Sequence, residues 1–210
     1  MRFAAPTEKY PERRTDRDIN LCQWWTPTWL VEAMVKLSGI PKGAYVLEPA
    51  AGSGAIVRAL KTAGCEVEAH EIDPYWLPAL EEAGADHINM GDYLALPLAP
   101  NAYDWCVQNP PFDKRGTGDK FLIKTLEECS NVIALMRLNV IASGGRYEDL
   151  WRRFIPRLKA IHVLPNRPDF ANGENMFDGA LSDFVVVVFD DRERPPEEHL
   201  IHFLLPPAEL

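Results

Sequence analysis

Seven short apolar runs, most of them ended by a carboxylate, an amide or a proline, recur along this chain with helix-length stretches between many of them. AYVLEP (44–49), CEVEAHEID (65–73), DHINM (86–90), YDWCVQ (103–108), NVIALMRL (131–138), AIHVLP (160–165) and DFVVVVFD (183–190) read as strands. Helices are expected at 28–37, 54–64, 75–83 and 119–129, and Gly39, Gly64 and Gly84 close the first three. Strands that alternate with helices pair in parallel through right-handed crossovers. The pattern therefore predicts an α/β, Rossmann-like layered domain, a mostly parallel seven-stranded sheet with helices on both faces. A ligand of such a sheet sits beyond the carboxyl ends of its strands, where the topology switches.

At 210 residues the chain fits one domain. We expect a polar arm over 1–20, the layered domain over 21–190 and an acidic tail over 191–210. No apolar run approaches the roughly 20 residues that span a bilayer, and the polar N-terminus does not read as a signal peptide. A cytoplasmic place and no membrane partner are expected. Cys22, Cys65, Cys106 and Cys129 form no C-x-x-C pair, and the five histidines share no ligand spacing. Reduced core thiols and no metal site are the expectation. A net charge of −9 argues against a broad nucleic-acid surface. A local one is still allowed, since Arg137, Arg146, Arg152, Arg153, Arg157, Lys159 and Arg167 outnumber Glu148 and Asp149 in one window.

The segment LEPAAGSGAIV (47–57) follows the first strand. Gly52 and Gly54 allow a tight turn and let the backbone approach a ligand with no Cβ in the way. Val57 stands where a dinucleotide fingerprint has its third glycine, and no P-loop lysine follows. Glu48, at the strand's end, would repel a pyrophosphate and favour a cationic ligand. The second strand ends in Glu71 and Asp73. A carboxylate there can accept both ribose hydroxyls of a nucleoside lying over the first turn. Glu71 suits that role, because Asp73-Pro74 reads as the cap of the next helix. Asp92, after the third strand, is placed to accept from an adenine amino group.

Taken in order, EPAAGSG, HEID, GDY and NPPF resemble the motifs of class I S-adenosylmethionine-dependent methyltransferases, over the chain to about residue 190. The resemblance implies that fold and S-adenosyl-L-methionine as cofactor. Ala50, Gly52 and Gly54 would underlie its methionine part, with Glu48 beside them. Glu71 would hold the ribose, Ile72 would pack on the adenine, and Asp92 and Tyr93 would flank its amino group, with Asn109 also at the cofactor. The segment WWTPTWLVEAMV (24–35) looks like the one that precedes the glycine motif in many adenine methyltransferases. There a Thr-Pro pair contacts the cofactor carboxylate, which points to Thr26 and Pro27.

Asn109-Pro110-Pro111-Phe112 closes the fourth strand with two residues poor at hydrogen bonding and an aromatic ring. An exocyclic aromatic amine is a weak nucleophile, because its lone pair is delocalised into the ring. Two acceptors aimed at its N–H groups would favour a more tetrahedral nitrogen and stabilise positive charge as a methyl group arrives. The Asn109 side-chain oxygen is one acceptor and the Pro110 carbonyl the other. Pro111 keeps Pro110 extended, and each ring fixes φ. Phe112 offers a face on which a flipped-out base could stack. The resemblance thus implies transfer to the amino group of adenine in DNA. RNA adenine, protein glutamine, or a non-catalytic cofactor-binding subunit are the alternatives.

Further on, LMRLNVIASGGRYEDLW (135–151) and LPNRPDF (164–170) resemble phage-borne adenine-methyltransferase-like proteins, which implies a bacterial or phage-infected host cell. Arg137, Arg146 and Arg167 are the matching residues, as phosphate contacts or as salt bridges that order loops near the pocket. Larger DNA methyltransferases append a target-recognition domain, whereas about 20 residues follow the last expected strand here. The loops 113–120 and 166–182 are therefore the expected places to read a substrate. Trp24, Trp25 and Trp29, near a helix start, read as core rather than as stacking platforms.

Overall fold

The computed structural model describes residues 25–113, 116–142, 144–165, 168 and 183–201. The expected arm, Cys22, Trp24, Arg167, nearly all of the loop 166–182 and the last residues of the acidic segment lie outside these.

Helix α1 (Thr28–Ser38) leads to β1 (Tyr45–Glu48), α2 (Ala55–Thr62), β2 (Glu66–Glu71), α3 (Leu77–Ala83) and β3 (His87–Met90). Then follow β4 (Tyr103–Gln108), α4 (Thr117–Glu128), β5 (Cys129–Arg137), β6 (Leu158–Val163) and β7 (Phe184–Phe189). The seven strands form one sheet in the order β3-β2-β1-β4-β5-β7-β6. β1 to β5 run parallel, and β7 is antiparallel to both its neighbours.

Period-two alternation divides the interior into two cores. On β4 and β5, Trp105, Val107, Ile133 and Leu135 face α1, α2 and α3, which contribute Leu30, Val31, Met34, Ile56, Leu60 and Leu80. Cys106, Val132, Ala134 and Met136 point the other way, against Phe121, Leu122 and Leu126 of α4. The β7 run is buried at all six positions, because it lies between β5 and β6 and both faces are covered. Cys65, Cys106 and Cys129 are buried free thiols, and Trp29 packs against the first core, as expected of them.

The expected strands all form, with ends shifted by a few residues. Between β5 and β6 the structure adds a helical stretch absent from the sequence reading: Gly144–Arg146, a π turn at Tyr147–Trp151, Arg152–Phe154 and a 3-10 turn at Ile155–Arg157. Its anchor is Trp151, fully buried and donating its indole N–H to the Val140 carbonyl at 2.8 Å. The acidic segment after β7 is not simply solvated. Arg194 pairs both Asp190 oxygens at 2.8 and 2.9 Å, its N–H reaches the Pro156 carbonyl, and Ile201 packs on the second core.

Gly54 shows how closely α2 and α3 sit. It has φ +77°, and a Cβ there would lie 2.9 Å from the Ala83 Cβ. Gly43 has φ +84° but open space around it. Gly54→Ala should cost about 2–4 kcal/mol in urea unfolding, from backbone strain plus overpacking, and Gly43→Ala only about 1–2. Equal losses would show that helix packing adds nothing.

Candidate functional site

Because β1 pairs β2 on one side and β4 on the other, the chain's direction of travel across the sheet reverses between β1 and β4. At the carboxyl ends of β1 to β4, above this point, lies a cavity of about 380 Å³. That size suits a small-molecule ligand. Its walls bring together Thr26, Glu48, Ala50, Gly52, Glu71, Ile72, Asp92, Tyr93, Asn109 and Pro111, residues spread through the sequence reading. Trp25, Ser53, Trp76, Asp113, Thr117, Lys120 and Phe121 are also among the lining residues.

Glu71 organises the glycine turn. Its Oε2 accepts from the Gly52 N–H at 2.7 Å and its Oε1 from the Asp73 N–H at 2.8 Å. Burial pushes its carboxyl above the ordinary range, against the lowering effect of those two N–H groups. Each oxygen retains a further lone-pair site, so the carboxylate can hold a ligand hydroxyl as well. Asp73 caps the following 3-10 turn, accepting from the Tyr75 N–H at 3.1 Å, the part the sequence assigned it.

Glu48 is 2% exposed and its Oε2 makes no hydrogen bond among the described residues. Burial, reinforced by the charge of Glu71, holds its carboxyl well above the usual carboxylate range. With Asp92 and Asp113 also in the lining, four carboxyl groups surround the space. Such a site favours a ligand that brings positive charge. Ile72 is 52% exposed although it lies on the cavity wall, an apolar surface ready to meet a flat ring.

Asp92 caps its own 3-10 turn, accepting from the Leu94 N–H at 2.9 Å, so one oxygen is already engaged. The Tyr93 ring forms part of the floor while its hydroxyl donates to Glu128. Glu128 also accepts from Lys124 Nζ at 2.6 Å and from the Ala99 N–H at 3.0 Å. These bonds tie the β3–β4 connection to α4.

Asn109 stands where β4 ends, and its Nδ2 donates to Thr26 Oγ1 at 2.9 Å. The preceding Gln108 is fully buried and donates to Thr125 Oγ1 at 2.7 Å, fixing the strand end to α4. Pro27, Gly54, Pro110 and Phe112 fall outside the lining. Pro27 caps α1, its carbonyl accepting from the Leu30 and Val31 N–H groups. The Phe112 ring turns away from the cavity, to an edge contact with Phe184 at 5.8 Å between centroids. The Arg137 guanidinium lies 5.2 Å from the ring centroid, and its Nη2 donates to the Phe112 carbonyl at 3.2 Å. Gly118 leaves room for the ring, since a Cβ there would meet Phe112 Cδ1 at 2.9 Å.

Arg146 pairs Asp119 at 2.8 Å, and with Arg137 and Phe112 it lines a second, smaller pocket of about 40 Å³. Arg146 thus makes an ion pair and Arg137 a hydrogen bond beside the cavity. Trp25, Trp76, Lys120 and Gly118 were missed as site residues. The aromatic pair Tyr75-Trp76 just after Glu71-Ile72-Asp73 was the available signal for Trp76; nothing local marks Lys120 or Gly118. Among the described residues, no group of three or more His, Cys, Asp and Glu is placed to hold a metal ion, and no helix is long and apolar enough to cross a membrane.

No protein-family model matches the chain. Over 148 residues, 66% of its length, the chain is 32% identical to the type II methyltransferase M.TthHB8I of Thermus thermophilus, and the match spans 31% of that relative. In structure it is similar to PH1948 of Pyrococcus horikoshii, assigned as an RNA methyltransferase, with TM-score 0.60, 18% identity, and coverage of 91% of this chain and 94% of that one. A modification subunit assigned to a type I restriction enzyme of Vibrio vulnificus has TM-score 0.63 at 17% identity, over 82% of this chain and 45% of that one. An RNA methyltransferase of Salinibacter ruber, solved with S-adenosyl-L-homocysteine, has TM-score 0.50 at 18% identity, over 83% and 97%. The chain has the Rossmann-like, class I S-adenosylmethionine-dependent methyltransferase fold.

The raised carboxyl of Glu48 makes a pH-dependent prediction. A group that binds its proton more tightly when folded costs stability as pH rises above the ordinary carboxylate range. Glu48→Gln keeps the shape and removes the ionisation. Without ligand, it should match the wild type near pH 4 and exceed it in stability at pH 8, the gap widening as pH rises. Denaturant titrations at the two pH values measure this, and a gap that shrinks as pH rises would contradict it.

Proposed function

We propose that the protein binds S-adenosyl-L-methionine in the larger cavity and transfers its methyl group to the exocyclic amino group of adenine in DNA. The observation that carries this reading is the Asn109 amide, whose Nδ2 is held by Thr26 at the wall of a cavity built from strand-end carboxylates. Glu71, engaged with the Gly52 and Asp73 N–H groups, would take the ribose hydroxyls, and the exposed Ile72 the adenine ring. The buried Glu48 oxygen and the surrounding carboxyl groups fit a cofactor that carries an ammonium and a sulfonium. When bound, that cofactor supplies a methyl group on a positively charged sulfur.

The chain's own part is then positioning and electrostatics. The Asn109 oxygen and the Pro110 carbonyl accept from the two N–H groups of the target amine. That draws the nitrogen lone pair out of the ring and stabilises the positive charge it gains. That nitrogen would receive the cofactor's methyl group, the sulfur keeping the bonding pair, and the proton the nitrogen loses would pass to water. Neither a covalent enzyme intermediate nor a metal is needed in this scheme. Arg137 and Gly118 hold Phe112 and its carbonyl, so the loop keeps its shape. Stacking of a base on Phe112 would require the ring to give up its Arg137 cover.

The likeness to a type II methyltransferase and to a restriction-enzyme modification subunit favours DNA as the substrate. The RNA methyltransferases that share the fold make RNA the second reading.

A tritiated-methyl transfer assay offering duplex DNA, single-stranded DNA, RNA and protein side by side decides the substrate. On the preferred one, Asn109→Ala should lower turnover by roughly 10²–10³-fold while calorimetric affinity for S-adenosylmethionine barely changes. Full activity in the folded variant would end the mechanism. Glu71→Ala should instead weaken cofactor binding by roughly 1.5–3 kcal/mol. Absence of binding by the wild type at millimolar cofactor would overturn the whole reading.

A further inference from the structure

Thr26 precedes α1, whereas Asn109 lies 83 residues downstream at the end of β4, yet both line the cavity and a 2.9 Å hydrogen bond joins them. We infer that Thr26 is a positioning residue for the reaction, its hydroxyl setting which end of the Asn109 amide meets the target amine. This rests on the proposed function, in which that end is the oxygen.

The torsion that turns an asparagine amide is broad and nearly two-fold, so the backbone of the Asn-Pro-Pro loop does not by itself choose between Oδ1 and Nδ2. An amide turned over would face an amine donor-to-donor and lose the acceptor. Holding Nδ2 on Thr26 Oγ1 leaves Oδ1 as the end that can accept. Thr26 sits in packed surroundings. The residue is 5% exposed, Trp25 and Pro27 beside it are buried, and α1 is fixed in the first core through Leu30, Val31 and Met34. The backbone that carries Oγ1 thus leads directly into a packed helix. The contact reaches across 83 residues of sequence, so the segment ahead of the glycine turn becomes part of the catalytic geometry.

The test uses Thr26→Val, which keeps the shape and removes the hydroxyl, Thr26→Ser, which restores it, Asn109→Ala, and the Thr26→Val/Asn109→Ala double variant. We expect Thr26→Val to lower kcat about tenfold or more and Thr26→Ser to recover most of the loss. In the Asn109→Ala background Thr26→Val should add less than about twofold, because both changes remove the same contact. Losses that multiply, or a Thr26→Val effect that appears wholly in the S-adenosylmethionine Kd, would overturn the proposal and place Thr26 at the cofactor alone. A second readout needs no activity. The Asn109 side-chain amide resonances, identified by their loss in Asn109→Ala, should shift in Thr26→Val and return toward the wild-type position in Thr26→Ser. If they stay unmoved in Thr26→Val, or in Thr26→Ala should the valine variant not fold, the inference fails. A wild-type protein that methylates nothing while these resonances respond as expected would instead sink the proposed function and leave the Thr26–Asn109 link standing.

Discussion

The parallel pairing of β1 between β2 and β4 is the constraint on which the site depends. Parallel strands place all their carboxyl ends on one edge of the sheet, and the reversal of direction beside β1 parts the loops there. Glu48, Glu71, Asp92 and Asn109 are separated by tens of residues, and each is the last residue of a strand or lies just after one. Moving any strand by one residue would turn its terminal side chain to the opposite face. The buried, two-sided packing of the sheet prevents that, because each register error would expose one core's residues to the other's space.

Polar groups at this edge do structural and ligand-directed work together. Glu71 closes the glycine turn through Gly52 and the next turn through Asp73, so a cofactor would meet a carboxylate already held in place. Glu128 and Lys124 form a buried pair that ends on the Tyr93 hydroxyl and on the carbonyls of Leu96 and Pro97. A buried ion pair is weak evidence of added stability. Here it fixes the β3–β4 connection, which the chain spans without an α-helix. Arg137 acts similarly from β5, reaching the Phe112 carbonyl and covering its ring. With the Thr26–Asn109 bond, that contact ties the Asn-Pro-Pro-Phe segment to the residue ahead of α1 and to β5, although its two prolines have no N–H to give.

Glu48 stands apart, since the same burial that opposes its charge in the ligand-free protein leaves an oxygen facing unmet hydrogen-bonding capacity. Burying a carboxyl group without a full set of donors costs free energy. A cationic ligand would offset that cost by supplying both charge and donors. Sites commonly hold such locally unfavourable groups where a ligand completes them.

The sequence by itself determined the strand–helix alternation, all seven strands, the glycine turn, and the acids and amide at the strand ends, because these follow from local periodicity and from turn chemistry within a few residues. It distinguished Glu71 from Asp73 for the same reason, the Asp-Pro cap being a local signal. The helical stretch 144–157 escaped because a π turn and 3-10 ends blur the helical period, and its anchor Trp151 is placed by contacts outside that stretch, among them the Val140 carbonyl and the Phe189 ring. Only the tertiary structure decided that Trp25, Trp76 and Lys120 wall the cavity, that Phe112 turns to Phe184 beneath Arg137, and that Thr26 holds Asn109. Each of these depends on where two separately packed elements place their side chains. That placement comes from the sum of both cores, and no short window of residues contains it.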